Sequence, residues 1–241
     1  ATPRKSIFHK LVSLFLLIGF ASILTFTIGL WISLERPPFR TLAETRLWYG
    51  VFLSAIGIVL YYRWRYPLML AYAILMALLF LFLNYLNPDT FDKTLMPALQ
   101  SPWFVPHVVV YIIGYAFLGF SCLVGIYGLI RFYNGKDVKN ILLMADNVVY
   151  IGFVFLTFGL LFGGLWAKQA WGYYWTWDPK ETCALLTWLF YLLYIHLRLR
   201  KKQSPLTALW LVSFAFVIMM IAWMGINYLG AAQSSVHTYS G

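Results

Sequence analysis

A chain of 241 residues that is 62% apolar, 20% aromatic and only 11% charged is too hydrophobic to be a soluble domain of that length. Its formal net charge of +10 would suit a nucleic-acid binder, but the basic residues cluster at the ends of apolar runs and no soluble domain exists to gather them into a patch. That class is excluded, and the composition predicts an all-α, polytopic transmembrane helix bundle.

A hydrocarbon core about 30 Å thick takes roughly 20 apolar residues per helical span. In chain order, seven runs are predicted to cross it: residues 11–33, 47–62, 66–86, 104–130, 141–166, 183–197 and 206–229. The first follows ATPRKSIFHK, is long for a signal-peptide core and has no small-residue cleavage site after it, so it reads as a retained helix. The second and sixth are short, and flanking long side chains such as Arg46 and Arg63 extend their reach by snorkelling.

Charge sets the expected orientation. With Arg4, Lys5 and Lys10 in the cytoplasm, seven spans place Arg63, Arg65, Arg131, Lys136, Lys139, Arg198, Arg200, Lys201 and Lys202 on the same side, twelve of the eighteen basic residues in all. This predicts a cytoplasmic N-terminus and an extracytoplasmic C-terminus. The domain reading is a three-span N-terminal segment, 1–98, and a four-span core, 99–241, within a single membrane domain.

Three features then share the outer face: His107 at the start of the fourth span, the segment WGYYWTWDPKE between the fifth and sixth, and His237 in the tail. Trp171, Tyr173, Tyr174, Trp175 and Trp177 crowd one short loop around Gly172, with Trp166 just before it. An interfacial aromatic belt is the plain explanation, but this density exceeds what anchoring needs and suits a flat apolar ligand such as a porphyrin. Asp178, Pro179 and Glu181 read as an N-cap, a first-turn proline and a reciprocal capping box that start the sixth span. Lys168 and Lys180 are placed to meet carboxylates, although ordinary interfacial lysines look the same.

His107 follows Pro106 at a helix start, where the dipole favours a neutral, ligating imidazole. Together, His107 and His237 are candidate axial ligands on either side of a haem iron; two histidines alone leave a zinc shell incomplete. At the inner side, His196 is a candidate for a second haem site, with His9 as its possible opposite ligand. Asp146 and Asn147 are expected at the inner interface. Cys122 and Cys183 form no C-x-x-C pair, so neither thiol exchange nor covalent haem attachment to this chain is indicated. No residue stands out as a catalytic acid or base.

The stretch WGYYWTWDPKETCALLTWLFYLLYIHLR, with LQSPWFVPH upstream and GINYLGAAQSSVHTY downstream, resembles the tryptophan-rich WWD segment and its flanks in the CcsA/ResC family of system II cytochrome c synthase components, relatives of the CcmC and CcmF haem-handling proteins. The resemblance covers residues 99–241; before them, ERPPFRTLAET is similar to the family's first outer loop. It implies cytochrome c-type biogenesis: haem b, bound non-covalently as a transported substrate, is presented at the extracytoplasmic face for attachment to an apocytochrome c bearing C-x-x-C-H. His107 and His237 would be the external ligands, with Trp171, Gly172, Tyr174, Trp175, Trp177 and Asp178 lining the pocket and His196 serving an inner haem site.

Further implications are a CcsB/ResB-type membrane partner subunit, a shared role in a holocytochrome c synthase and a place in the bacterial cytoplasmic membrane or a plastid equivalent. Cys183 departs from the tryptophan expected after the KET segment. Two other functions fit parts of the pattern: a haem exporter or chaperone without synthase chemistry, and a dihaem b-type quinol electron carrier, which usually sets its histidine pairs within facing helices.

Overall fold

The computed structural model describes residues 3–64, 67–91, 98, 101–200 and 203–223, without the side chains of 3–10, 42, 64, 68, 69 and 90. All regular structure among these residues is helical: α1 (Pro3–Leu34), α2 (Leu42–Trp64), α3 (Pro67–Leu86), a short 3-10 turn (Pro88–Phe91), α4 (Phe104–Tyr133), α5 (Lys139–Trp171), α6 (Pro179–Leu199) and α7 (Pro205–Trp223). Each predicted span has its helix, usually longer than the apolar run, because polar and aromatic flanks continue the hydrogen-bonded ladder past the hydrocarbon boundary. Six helices are long and apolar enough to cross a membrane, and α3 adds the shorter apolar stretch Leu70–Leu86. The protein is a multi-pass helical membrane protein.

The chain divides into two compact units, Ala1–Leu95 and Met96–Gly241. In the first, α2 and α3 form a tight hairpin. Gly50 lets the helices approach, since a Cβ there would lie 3.8 Å from the Ala77 carbonyl oxygen, and the Tyr49 and Phe80 rings meet edge to face with centroids 4.6 Å apart. α1 presents Leu14, Phe15, Leu17, Ile28 and Ile32 outward, an all-round apolar character that only a bilayer or another membrane protein tolerates.

In the second unit α4 packs on α5 and α7, and α6 on α5 and α7, closing a four-helix ring. Glycines let α4 sit in the middle of two close interfaces. Against α5, a Cβ on Gly152 would come within 2.8 Å of Leu118, and one on Gly114 within 3.3 Å of the Gly152 carbonyl. Against α7, Gly125 faces Val212 and Ser213, and Gly128 faces Leu209. Without a hydrophobic drive between helices in lipid, such small-residue seams supply the van der Waals contact that holds them.

Asp146, expected at the inner interface from its position near a helix end, is covered there by protein and not open to solvent. It accepts hydrogen bonds from Tyr194 Oη at 2.8 Å, Arg198 Nε at 2.8 Å and Arg198 Nη2 at 2.6 Å across the α5–α6 contact. A carboxylate taken out of water needs a counter-charge and full hydrogen bonding, and α6 brings both with residues four apart on one face. Asn147, one position on, is exposed.

Candidate functional site

α4 begins at Phe104, so His107 projects from its first turn toward α5. The ring occupies a niche made by glycine: a Cβ on Gly163 would lie 2.9 Å from His107 Cε1 and 3.0 Å from Nδ1. One turn along, Gly159 makes the same room for Tyr111, whose ring would meet a Cβ at 2.8 Å. His107 Nδ1 is 2.9 Å from the Gly159 carbonyl oxygen. A carbonyl only accepts, so in the neutral ring this contact puts the proton on Nδ1 and the lone pair on Nε2. Metal-binding imidazoles are commonly held this way, with the second nitrogen donating to a backbone carbonyl that fixes both tautomer and rotation.

Aromatic rings complete the seat. Trp166 stacks on His107 with centroids 5.3 Å apart and planes 30° apart, and Tyr111 meets it edge-on at 4.8 Å. Trp166 is itself held by Phe104 and Trp171, each at 5.0 Å, and its Nε1 donates to the Ala98 carbonyl at 2.7 Å. Down the same face of α4, Tyr111 contacts Tyr115 at 5.4 Å and Tyr115 contacts Trp223 at 5.3 Å. The end of α7 therefore lies two turns from His107, roughly 12 Å along α4 at 1.5 Å per residue.

Replacing Gly163 by alanine is expected to push the imidazole off the Gly159 carbonyl while leaving the helix intact, since alanine is the better helix former. Misplacing an orienting partner typically costs 10–100-fold in metal affinity. If His107 ligates haem, as the family resemblance implies, a titration of the purified protein with haem alongside circular dichroism should show unchanged helicity with weaker haem retention.

The loop after α5 starts at Gly172, whose φ of 90° gives the left-handed turn that ends the helix. Lys168 Nζ donates to the Gly172 carbonyl at 2.7 Å and lies 5.5 Å from the Tyr174 ring centroid, so this lysine also braces the loop. At the other end the predicted cap is present. Asp178 accepts from Lys180 N at 2.9 Å, and Glu181 Oε2 accepts from Asp178 N at 3.2 Å and from Thr176 N at 2.8 Å. The acidic pair thus shapes the loop as well as starting α6.

Between these clamps the aromatics divide. Trp171 packs inward on Trp166, whereas Tyr173, Tyr174 and Trp177 are 67%, 59% and 68% exposed. Trp175 is half-buried, edge-on to Trp177 at 5.8 Å, and its enclosed Nε1 has no hydrogen-bond acceptor. Trp177 adopts φ 61°, a conformation that is costly for a bulky residue, of the order of 1–3 kcal/mol, and that persists only where the surroundings impose it. Thr182 Oγ1, donating to the Trp177 carbonyl at 3.2 Å, is one such restraint.

Trp177→Gly is therefore expected to leave thermal stability unchanged or raise it by about 1 kcal/mol, because glycine takes that φ without strain. If the exposed indole serves a ligand, haem retention falls at the same time. Thermal unfolding and haem content measured on one preparation separate the two effects.

His196 is exposed on α6, on the face turned away from Tyr194 and Arg198, and near the opposite end of the helix from the aromatic loop. His9 belongs to α1, but its side chain is not among those described. His237 lies outside the described residues. Cys122 and Cys183 are both free thiols. The structure thus gathers His107, Trp166 and Trp171 into one packed cluster beside the loop and sets His196 apart. Sequence reasoning missed the glycine niche, although the spacing Gly159-x-x-x-Gly163 was a readable sign of close helix approach.

A family model described as cytochrome C assembly protein matches residues 39–232. Among similar proteins, the cytochrome c biogenesis protein CcsA of Chlamydomonas reinhardtii is 39% identical over 153 residues, a stretch covering 60% of this chain and 42% of that protein. The protein of the same name from Guillardia theta is 31% identical, with 97% of this chain and 88% of its own length aligned. That of Prochlorococcus marinus (strain MIT 9312) is 33% identical over 66% of this chain and 61% of its own length. The chain thus spans less than half of the first of these relatives and most of the second. With a family match over most of its length, a helical membrane bundle and a relative aligned nearly end to end, the chain belongs to the cytochrome c assembly protein family as a CcsA-type cytochrome c biogenesis protein.

Proposed function

We propose that this protein binds haem at the extracytoplasmic face of its membrane and presents it for covalent attachment to apocytochrome c. The observation that carries the reading is the seat of His107. Its proton is held on Nδ1 by the Gly159 carbonyl, its lone pair is on Nε2, and its ring is stacked on Trp166 beside a loop of exposed aromatics. This arrangement suits one axial ligand of a haem iron lying against the loop. The enclosed, acceptor-free Trp175 Nε1 fits the same ligand, because a haem propionate supplies the carboxylate that the indole N–H lacks.

In this reading His237 is the second external ligand, and α7 running toward the His107 end of the bundle favours it. Trp171 backs the His107 seat, Gly172 opens the loop, and Tyr174, Trp175 and Trp177 provide flat faces. Asp178 fixes the loop's exit into α6. His196, roughly 25 Å along α6 from its start, serves an inner haem site at the opposite membrane face. Its outward exposure calls for its partner ligand to come from another surface, for which a CcsB/ResB-type subunit is the candidate. Haem b then moves from the inner to the outer site. Such a route makes the chain part of a holocytochrome c synthase in the bacterial cytoplasmic membrane or an equivalent membrane, with its C-terminus outside. The residues' contribution is orientation, bringing vinyl groups and incoming C-x-x-C-H thiols into reach, and no side chain is assigned as acid or base.

Co-reconstitution of the protein with its partner subunit, haem and a C-x-x-C-H peptide tests the reading. Covalently attached haem on the peptide supports it. Bound haem passed on without thioether formation identifies an exporter, and rapid quinol oxidation by a stably bound haem pair identifies an electron carrier.

A further inference from the structure

The entry to α4 is tied to the end of α5 by a second set of contacts, separate from those around the His107 ring. Trp103 holds the cap position of α4 but makes no capping hydrogen bond with its side chain. Ser101 takes over from two residues upstream. Its Oγ accepts from Trp103 N at 3.2 Å and its carbonyl accepts from Phe104 N at 3.1 Å, a serine turn that leads the chain into the helix. The ladder of α4 then opens with the bond from His107 N to the Trp103 carbonyl, at 3.1 Å.

The Ser101 hydroxyl also has a proton to give, and α5 takes it. Ser101 is buried, and its Oγ donates to Gln169 Oε1 at 2.8 Å. Gln169 lies three residues beyond Trp166, on the same face of α5. Trp166 Nε1 in turn donates to the carbonyl of Ala98, three residues before Ser101, at 2.7 Å. Two hydrogen bonds at matched spacing thus strap the approach to α4 along the end of α5. Gln169 is itself exposed and stands three residues before Gly172, where the aromatic loop departs.

The strap bears on the imidazole because His107 sits in the turn that Ser101 starts. His107 Nδ1 is 2.9 Å from the Gly159 carbonyl oxygen. A slide of roughly half an ångström by the first turn of α4 takes it out of the range of about 2.7–3.2 Å in which such a bond forms. Trp166, which the strap holds through Ala98, is also the ring on which His107 stacks. We propose that Ser101 and Gln169 are positioning residues for His107. Their hydrogen bond fixes the first turn of α4 against the end of α5, so that the imidazole keeps its proton on Nδ1 and its lone pair on Nε2. The proposal rests on the reading of His107 as a haem ligand and adds to it the two residues that set the ligand's place.

The test uses the full chain with its partner subunit in nanodiscs and compares wild type with Ser101→Ala, Ser101→Thr, Gln169→Leu and the double variant of Ser101→Ala with Gln169→Leu. In haem-free protein isotope-labelled at the histidine nitrogens, the His107 ring signals are identified by their loss in His107→Ala. Exchange of the Nδ1 proton with solvent is then measured. Loss of one hydrogen bond predicts exchange about fivefold faster in Ser101→Ala and in Gln169→Leu, and no further gain in the double variant, since both act through one bond. Ser101→Thr, which keeps the hydroxyl, restores the wild-type rate. Backbone amides in the middle of α5 and α6 are the control: their exchange stays at the wild-type rate if the strap acts on the His107 seat and not on the whole bundle. An Nδ1 proton that exchanges at the wild-type rate in both single variants would overturn the proposal. Haem titration of the same proteins decides the underlying reading separately. Binding about fivefold weaker in the strap variants and low-spin haem lost in His107→Ala uphold it. Haem bound equally by wild type and His107→Ala removes His107 as a ligand and leaves the exchange result to decide the strap. Should Ser101→Ala fail to fold, Gln169→Leu, at an exposed position, carries the same decision.

Discussion

Substitution of His107 by alanine is expected to remove the low-spin haem spectrum of the protein purified with its partner subunit, and to lower the yield of holocytochrome c tenfold or more. The size of the effect follows from what one side chain does in the proposed site. It supplies the iron ligand, and the Gly159 carbonyl, the Gly163 niche and the Trp166 face orient that ligand before haem arrives. A preorganised ligand loses little further freedom on binding, so its removal forfeits nearly the whole bond. Added imidazole should restore part of the spectrum, because the vacated niche can take the free ring. His237→Ala should turn the spectrum high-spin in the same assay. Spectra unchanged in both variants would return the loop to the role of a membrane anchor.

The second large effect is expected at Asp146. Replacing it by alanine leaves Arg198 and Tyr194 facing each other across the α5–α6 contact without their common acceptor. Breaking a buried pair by deleting one partner typically costs about 3–5 kcal/mol. The Arg198 side chain retains 17% exposure, which lets its head find some water, so the lower end, about 3 kcal/mol, is expected. A joint replacement of Asp146 and Arg198 by leucine should recover most of that loss, since it removes both desolvated charges together. Thermal unfolding in detergent measures all three proteins. If both variants unfold like the wild type, the ion pair contributes nothing to the bundle. The clamp also sets the rotation of α6, and with it the direction in which His196 faces.

These two sites differ in how far they could be read in advance. His107 stood out as a candidate in the sequence because proline precedes histidine at the start of an apolar run in a chain that also carries a tryptophan-rich loop. Its tautomer was not legible, because that depends on which backbone carbonyl of α5 lies opposite, a matter of register between two helices. The enclosure of Asp146 was not legible for a related reason. Distance from a helix end says how deep a residue sits along the axis, but only packing says which face is covered, and Tyr194 and Arg198 cover this one. The Asp178–Glu181 cap was read correctly from sequence because all of its partners lie within four residues.

For this protein, then, the sequence by itself determined everything that depends on neighbours in the chain or on transfer from water to lipid. Apolar run lengths determined the helices and the membrane, Asp178, Pro179 and Glu181 determined where α6 begins, and the ordered WWD and histidine motifs determined the family. Tertiary structure alone decided what depends on which helix faces meet. It placed the His107 ring in the Gly159–Gly163 niche, turned Trp171 inward and Trp177 outward, buried Asp146 against α6, and tied Ser101 to Gln169. The physical reason is that helix formation in a bilayer is driven locally by backbone hydrogen bonding, whereas the seams between helices rest on close contacts of single glycines and single charges, and these are specified only once the helices are in register.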